Sequence, residues 1–111
     1  MEDWERLGVQ WLCRRAELLS SNGYTHRGLV YQLVAYHMQP ADEVVLCGLA
    51  RMFTLAGDGT RALTILDKLA QLDPPPPELP LWRARAYLAM GRGEDAARIL
   101  AQRLAMPKDI D

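Results

Sequence analysis

The sequence predicts an all-α protein built from three helix–turn–helix repeats, and three observations support this prediction. Apolar residues recur at helical spacing in six segments. The segment 57–74, a glycine turn followed by an amphipathic helix and a proline stop, reappears in outline 34 residues away on either side. Small residues also occupy matching positions of each 34-residue unit, as expected where helices cross closely.

The helices are expected to alternate with glycine turns and proline stops. We expect them over about 2–20, 25–38, from Asp42 up to Gly57, 60–72, from about 78–80 up to Gly91, and 94–105. Asp42 is a plausible N-cap for the third helix. The proline run 74–77 predicts a short stiff spacer after the fourth helix rather than a ligand for a proline-binding module.

A 34-residue frame places the repeats at about 9–42, 43–76 and 77–110 of a single domain, 1–111. A period near 34 with helix–turn–helix content is typical of the tetratricopeptide repeat. Three positions are expected to form the helix crossings. Position 8 holds Ala16, Ala50 and Ala84; position 20 holds Gly28, Ala62 and Ala96; position 11 holds Leu19, Phe53 and Tyr87.

The frame ends at residue 110 and leaves no separate capping helix, so the expected fold is a short right-handed solenoid with an open end. The sixth helix is then expected to expose part of Ile99, Leu100 and Leu104. Such a surface favours a binding partner, or pairing of two copies when no partner is bound.

Composition and charge narrow the class of protein. A formal net charge of −1 gives no electrostatic case for binding nucleic acid, and no apolar run approaches the length of a membrane span. The acidic opening does not resemble a secretory signal. Two widely spaced cysteines favour reduced thiols. We therefore expect a cytoplasmic protein without a membrane-inserted segment.

The concave side of the predicted solenoid is the candidate binding site. First-helix positions from all three repeats should line it, giving a half-apolar groove with Arg51 and Arg85 one repeat apart, suited to a helix or extended segment carrying apolar anchors and a carboxylate. The predicted partner-binding residues are Cys13, Glu17, Cys47, Arg51, Thr54, Leu55, Leu81, Trp82, Arg85 and Leu88. Arg51 and Arg85 are alternatively ordinary solvated side chains.

Other chemistry has little support in the sequence. His26 and His37 fall on second helices, away from the cysteines, and no metal-ligand spacing joins them. The glycine turns lack the Lys-Ser/Thr of a phosphate loop, and no base is oriented for a Cys–His nucleophile. Trp4, Trp11 and Trp82 are candidate anchors for a partner, although Trp11 fits the core equally well. We expect no enzyme, no metal and no cofactor.

The chain resembles the small tetratricopeptide chaperones of bacterial type III secretion, most closely the YscY (SctY) family. The resemblance lies in Asn22-Gly23 followed by Pro40, the full repeat to Pro74, and Ala84-Arg85-Ala86 before Gly91. It implies a non-enzymatic cytoplasmic chaperone that binds and stabilises a small exported protein like YscX. As a pair, the two would bind the export-gate protein YscV.

Two other functions remain open on the same residues. One is a co-chaperone of the needle subunit, of the YscG type, which has similar size and repeat content. The other is a homodimeric repeat scaffold that needs no client.

Overall fold

The structure, a computed structural model, describes residues 2–105 and consists in this range of six α-helices without strands. The helices are α1 (Asp3–Ser21), α2 (Thr25–Met38), α3 (Glu43–Leu55), α4 (Gly59–Leu69), α5 (Leu79–Ala89) and α6 (Gly93–Ala105). They pack as three hairpins, α1 with α2, α3 with α4 and α5 with α6, and each hairpin stacks on the next. The predicted fold class, a helical repeat solenoid, is confirmed.

The turn inside each hairpin is the same structure repeated every 34 residues. Gly23, Gly57 and Gly91 have φ angles of 88°, 83° and 75°, in the left-handed region that favours glycine. The amide that follows each glycine bonds back to a carbonyl five residues earlier, at 2.8 Å in all three turns. This is the Schellman ending of a helix. Identical turns at this interval confirm the predicted period.

Aspartate side chains begin the two central helices. Asp42 Oδ1 accepts from the amide of Val45 at 3.1 Å, which confirms the predicted cap of α3. Asp58 Oδ1 accepts from the amide of Arg61 at 3.1 Å and caps α4 in the same way. Each bond satisfies an amide that has no partner within its own helix.

The helices of the first hairpin cross closely at the predicted small residues. A Cβ placed on Gly28 would lie 2.6 Å from the backbone oxygen of Ala16, so only glycine fits this crossing. Ala50, Ala62, Ala84 and Ala96 at the matching positions are all buried. These burials confirm the frame of positions 8 and 20.

The main hydrophobic core lies in the middle repeat. Leu46, Leu49 and Phe53 of α3 pack there against Leu66 and Leu69 of α4. Side chains from α2 and α5 cover both sides of this cluster. The central hairpin therefore fixes how the outer two are placed.

One prediction about the end of a helix needs correction. Helix α4 ends at Leu69, whereas the sequence predicted an end at Leu72. Residue 73 precedes a proline, which disfavours helical backbone there, and the chain leaves the helix before the proline run 74–77. The predicted end of the third repeat, with Pro107, lies outside the described residues.

Exposure agrees with expectation in the last helix and differs from it in the first. Ile99 and Leu100 are half-buried and Leu104 is 86% exposed, so α6 exposes part of this surface as predicted. Trp11, which fitted the core equally well, is 57% exposed, so the core interpretation is wrong. The first hairpin exposes more large apolar side chains than the last.

Candidate functional groove

The three first helices of the repeats enclose an open cavity of about 670 Å³, which we call the groove. Residues of α1, α3 and α5 lie on the same side of the solenoid because they occupy equivalent positions of stacked hairpins. Helices α2 and α4 contribute side chains to the lining behind them. The lining consists of Cys13, Glu17, Gln32, Val44, Cys47, Gly48, Ala50, Arg51, Met52, Thr54, Leu55, Leu66, Trp82 and Arg85.

Most of the predicted partner-binding residues meet in this groove. Those that line it are Cys13, Glu17, Cys47, Arg51, Thr54, Leu55, Trp82 and Arg85. Leu81 and Leu88 do not line it, although both were predicted to. They lie seven residues apart on α5, which is two helical turns, and their equivalents in the middle repeat, Cys47 and Thr54, do line it. A further repeat would have to follow α6 to build the corresponding section of groove around Leu81 and Leu88.

The two groove arginines have different electrostatic surroundings. Arg51 Nη2 lies 3.6 Å from Glu17 Oε2, in an ion pair between side chains that are both more than half exposed. Such a pair contributes at most about 1 kcal/mol to stability, but it neutralises the charge of Arg51 locally. No ion pair or hydrogen bond within residues 2–105 involves the side chain of Arg85. Arg85 is therefore the groove cation available to an incoming carboxylate.

Both cysteines are free thiols at the edge of the groove. Burial raises the pKa of the Cys13 thiol; the Gln32 amide opposes this, and the charges of Asp42 and Glu17 add to it. Burial also raises the pKa of Cys47, helped by Glu43, Glu78 and Asp42. Because the thiolate is the nucleophilic form, these surroundings favour inert, half-apolar side chains over reactive ones.

Gln32 is a groove residue that the sequence reasoning missed. It is only 1% exposed, and its Nε2 donates to the backbone oxygen of Val45 at 3.0 Å. Its Oε1 is buried and accepts no hydrogen bond from any residue in 2–105. A Cβ on Gly48 would lie 2.5 Å from Nε2, so the glycine makes room for this amide.

A signal for Gln32 was present in the repeat frame. The equivalent residues of the second and third repeats are Leu66 and Leu100, both apolar. A glutamine at a position that is otherwise leucine carries a polar group into a core site, where it normally needs partners. This departure from the repeat pattern is the sequence signal for Gln32.

No three His, Cys, Asp or Glu residues in the described part of the chain are placed to hold a metal ion. No helix within residues 2–105 is long and apolar enough to cross a membrane. What the groove does offer is an apolar surface from Val44, Leu55 and Trp82, one free guanidinium, and one buried carbonyl acceptor.

Fold and groove together define a helical-repeat protein of the kind that binds other polypeptides on its concave side. The tetratricopeptide repeat profile matches residues 53–109, slightly more than half of the chain. The chain therefore belongs to the tetratricopeptide repeat family, whose members are typically non-enzymatic protein-interaction modules. No curated protein and no solved structure matches it.

Proposed function

We propose that the protein is a non-enzymatic chaperone that binds a short segment of a small exported polypeptide in its groove. The observation that carries the proposal is that the groove combines an apolar wall with the guanidinium of Arg85, which forms no ion pair with any described residue. A client segment with apolar side chains at helical or extended spacing and one carboxylate complements both features. Burying those side chains would keep the client soluble and unassembled before export.

The more specific assignment rests on the resemblance to the YscY family. We propose a client like YscX, bound in the bacterial cytoplasm, and a later encounter of the pair with an export-gate protein like YscV. Three stacked helical hairpins, together with the groove, support this assignment. A client of the needle-subunit type, held by a YscG-like co-chaperone, would use the same chemistry.

Gln32 adds a more specific requirement to the proposed client. Its buried Oε1 lacks a donor among residues 2–105, and leaving a buried acceptor unpaired costs about 1–3 kcal/mol. Because Oε1 is buried, an N–H of the client can reach it only if the Gln32 amide turns toward the groove, and that hydrogen bond would recover the cost on binding. We therefore expect client binding to change the conformation of the Gln32 side chain.

Co-expression with the neighbouring small open reading frames, followed by affinity purification, tests the proposal. We expect one small polypeptide to be recovered in stoichiometric amount. The sequence of that polypeptide would distinguish an exported regulator from a needle subunit. Recovery of the chain alone from every such co-expression would contradict a chaperone function.

Charge reversal at Arg85 tests the groove itself. Arg85→Glu should weaken client binding by about tenfold, or about 1.4 kcal/mol, measured by calorimetry with the recovered client. Lys68→Glu makes the same change on α4, at an exposed side chain outside the groove lining, and should leave the affinity unchanged. Equal affinities of both variants would remove Arg85 from the proposed site.

A further inference from the structure

The first repeat carries an exposed apolar surface on its outer side, which we call the N-terminal face. In α1 it comprises residues spaced by three, four and seven positions, which lie along one side of a helix. In α2 it comprises residues spaced by four. The N-terminal face consists of Trp4, Leu7, Trp11 and Leu18 of α1 and of Val30, Val34 and Met38 of α2, all exposed.

Contacts between α1 and α2 join the two parts of the face. The ring of Trp11 meets that of Tyr31 edge-on, with ring centres 6.0 Å apart. Met38 Cε lies 4.0 Å from the position that a Cβ on Gly8 would occupy. The exposed side chains of both helices therefore form one continuous surface across the hairpin.

The equivalent positions of the other repeats show what this surface does within the solenoid. Trp11 and Leu18 correspond to Val45 and Met52 of the second repeat, both buried. Val45 is buried against Val9 of α1 and Ala35 of α2, which belong to the preceding hairpin. In the third repeat the same positions hold Leu79 and Ala86, which are also buried.

These equivalences mean that the α1 part of the N-terminal face, at Trp11 and Leu18, is the side on which each hairpin packs against the hairpin before it. In the first repeat no described residue covers it, yet its side chains are as apolar as those that are covered elsewhere. At the positions of Val30 and Val34, the second repeat has the polar residues Thr64 and Lys68, which are exposed. The first hairpin is thus more apolar on its outer side than the repeat pattern requires.

The charges beside the face indicate that it complements itself. Asp3 and Arg14 lie 11 residues apart on α1, about three turns, and so share one side of the helix next to the apolar stripe. No ion pair within residues 2–105 involves either of them. Two antiparallel copies of α1 would bring each Asp3 to the Arg14 of the other copy, with Leu7 near the centre.

The exposed area also matches an interface of this kind. With side-chain areas of about 150–250 Å² for tryptophan and about 100 Å² for the aliphatic residues, the exposed parts of the face sum to roughly 500 Å². A standard interface buries about 800 Å² per partner, of which about 65% is apolar in homodimers, so the expected apolar share is also roughly 500 Å².

We infer that the N-terminal face is the interface of a homodimer in which two copies of α1 pack antiparallel across a two-fold axis. The interface is isologous, because the same residues of both copies meet. It is separate from the groove and does not depend on the proposed client. The dimer presents two grooves, one from each copy.

Size-exclusion chromatography coupled to light scattering, on the protein without any client, tests the inference. The full chain of 12.5 kDa should elute with twice that mass at micromolar concentrations. Leu7→Glu and Trp11→Glu should each raise the dimer dissociation constant at least thirtyfold, with unchanged helicity by circular dichroism because both side chains are exposed. Leu104→Glu, at the other end of the solenoid, should leave the dimer intact.

A charge exchange tests the antiparallel arrangement. Asp3→Arg and Arg14→Asp should each weaken the dimer, and the double variant should restore it, because the pairs form again with opposite signs. A wild-type chain that is monomeric at 100 μM or above would overturn the inference. Loss of the dimer in Leu104→Glu would also overturn it. So would a mass that rises beyond that of a dimer with concentration, or a double variant that does not restore the dimer. Groove variants leave this mass unchanged, so a missing client and a missing dimer are distinguishable results.

Discussion

Gly28→Ala should destabilise the protein although it adds a better helix former. The new Cβ would lie 2.6 Å from the backbone oxygen of Ala16 and 3.3 Å from the backbone nitrogen of Ser20. Ordinary van der Waals contact begins at 3.4 Å. Both neighbours are backbone atoms of α1, so no side chain can rotate away, and the two helices must move apart.

The size of the effect follows from two opposing contributions. Replacing a helix-interior glycine by alanine gains up to about 1 kcal/mol of helix stability. Forcing a methyl group into a packed contact usually costs about 1–3 kcal/mol, and moving α1 away from α2 also loosens the contacts near it. We expect a net loss of roughly 2 kcal/mol, or a midpoint of thermal unfolding lower by about 8 °C.

Gly8→Ala is the matched control on the other helix of the same hairpin. Its Cβ would find only Met38 Cε at 4.0 Å, an ordinary contact, so the helix contribution should prevail and stabilise by up to about 1 kcal/mol. Urea unfolding followed by circular dichroism, at two protein concentrations to separate any effect of dimerisation, measures both variants. If Gly28→Ala stabilises the protein as Gly8→Ala is expected to, the close crossing of α1 and α2 at Gly28 is wrong.

Three further predictions concern single side chains. Asp58→Ala should lower the free energy of unfolding by about 1 kcal/mol because the amide of Arg61 loses its cap, and Asp58→Asn should recover most of it; equal stabilities of the two variants would contradict the cap. Gln32→Leu should raise the free energy of unfolding by about 1 kcal/mol, since it removes an unpaired buried oxygen, and should weaken client binding; tighter binding would contradict the proposed hydrogen bond. The raised pKa values of Cys13 and Cys47 should shift the pH midpoint of thiol alkylation upward in the folded chain relative to the chain in urea. Their contribution to stability is fully present below the unfolded pKa and is lost as the pH rises through the folded pKa, so coincident midpoints, or stability that rises over this range, would contradict the burial of these thiols.

The sequence alone predicted the repeats well because the determinants of each hairpin are local. A glycine with positive φ is needed at each turn, and an aspartate can cap the helix that follows, as Asp42 does. Small residues at 34-residue spacing mark the crossings, as at Ala16 and Gly28. These features depend on residues close in the chain or exactly one repeat away, so a periodic frame captures them.

The parts of the groove that depend on which neighbour is present were harder to predict. A frame assigns Leu81 and Leu88 to the groove because their equivalents in the preceding repeat line it. The repeat frame does not show whether a further hairpin encloses these two side chains. The same reasoning explains the exposure of Trp11. This residue occupies a position that packs against the preceding hairpin in the other repeats, and no described hairpin precedes the first one.

The sequence also did not predict which side chains of different repeats form ion pairs. The ion pair of Glu17 with Arg51 joins residues exactly one repeat apart, and the frame could place them near each other but could not show that they bond. This ion pair leaves Arg85 as the unpaired groove cation, whereas the repeat frame treats the two arginines as equivalent. Such asymmetry depends on side-chain conformation, which periodicity does not determine.

Photo-cross-linking from two equally exposed positions tests most directly whether the groove binds the client. In the single chain, Leu55 in the groove and Val30 in the N-terminal face are both 60% exposed. A photoreactive phenylalanine analogue at position 55 should cross-link to the co-purified client, whereas the same analogue at position 30 should cross-link only to a second copy of the chain. Client cross-links from position 30 and none from position 55 would contradict the proposed site.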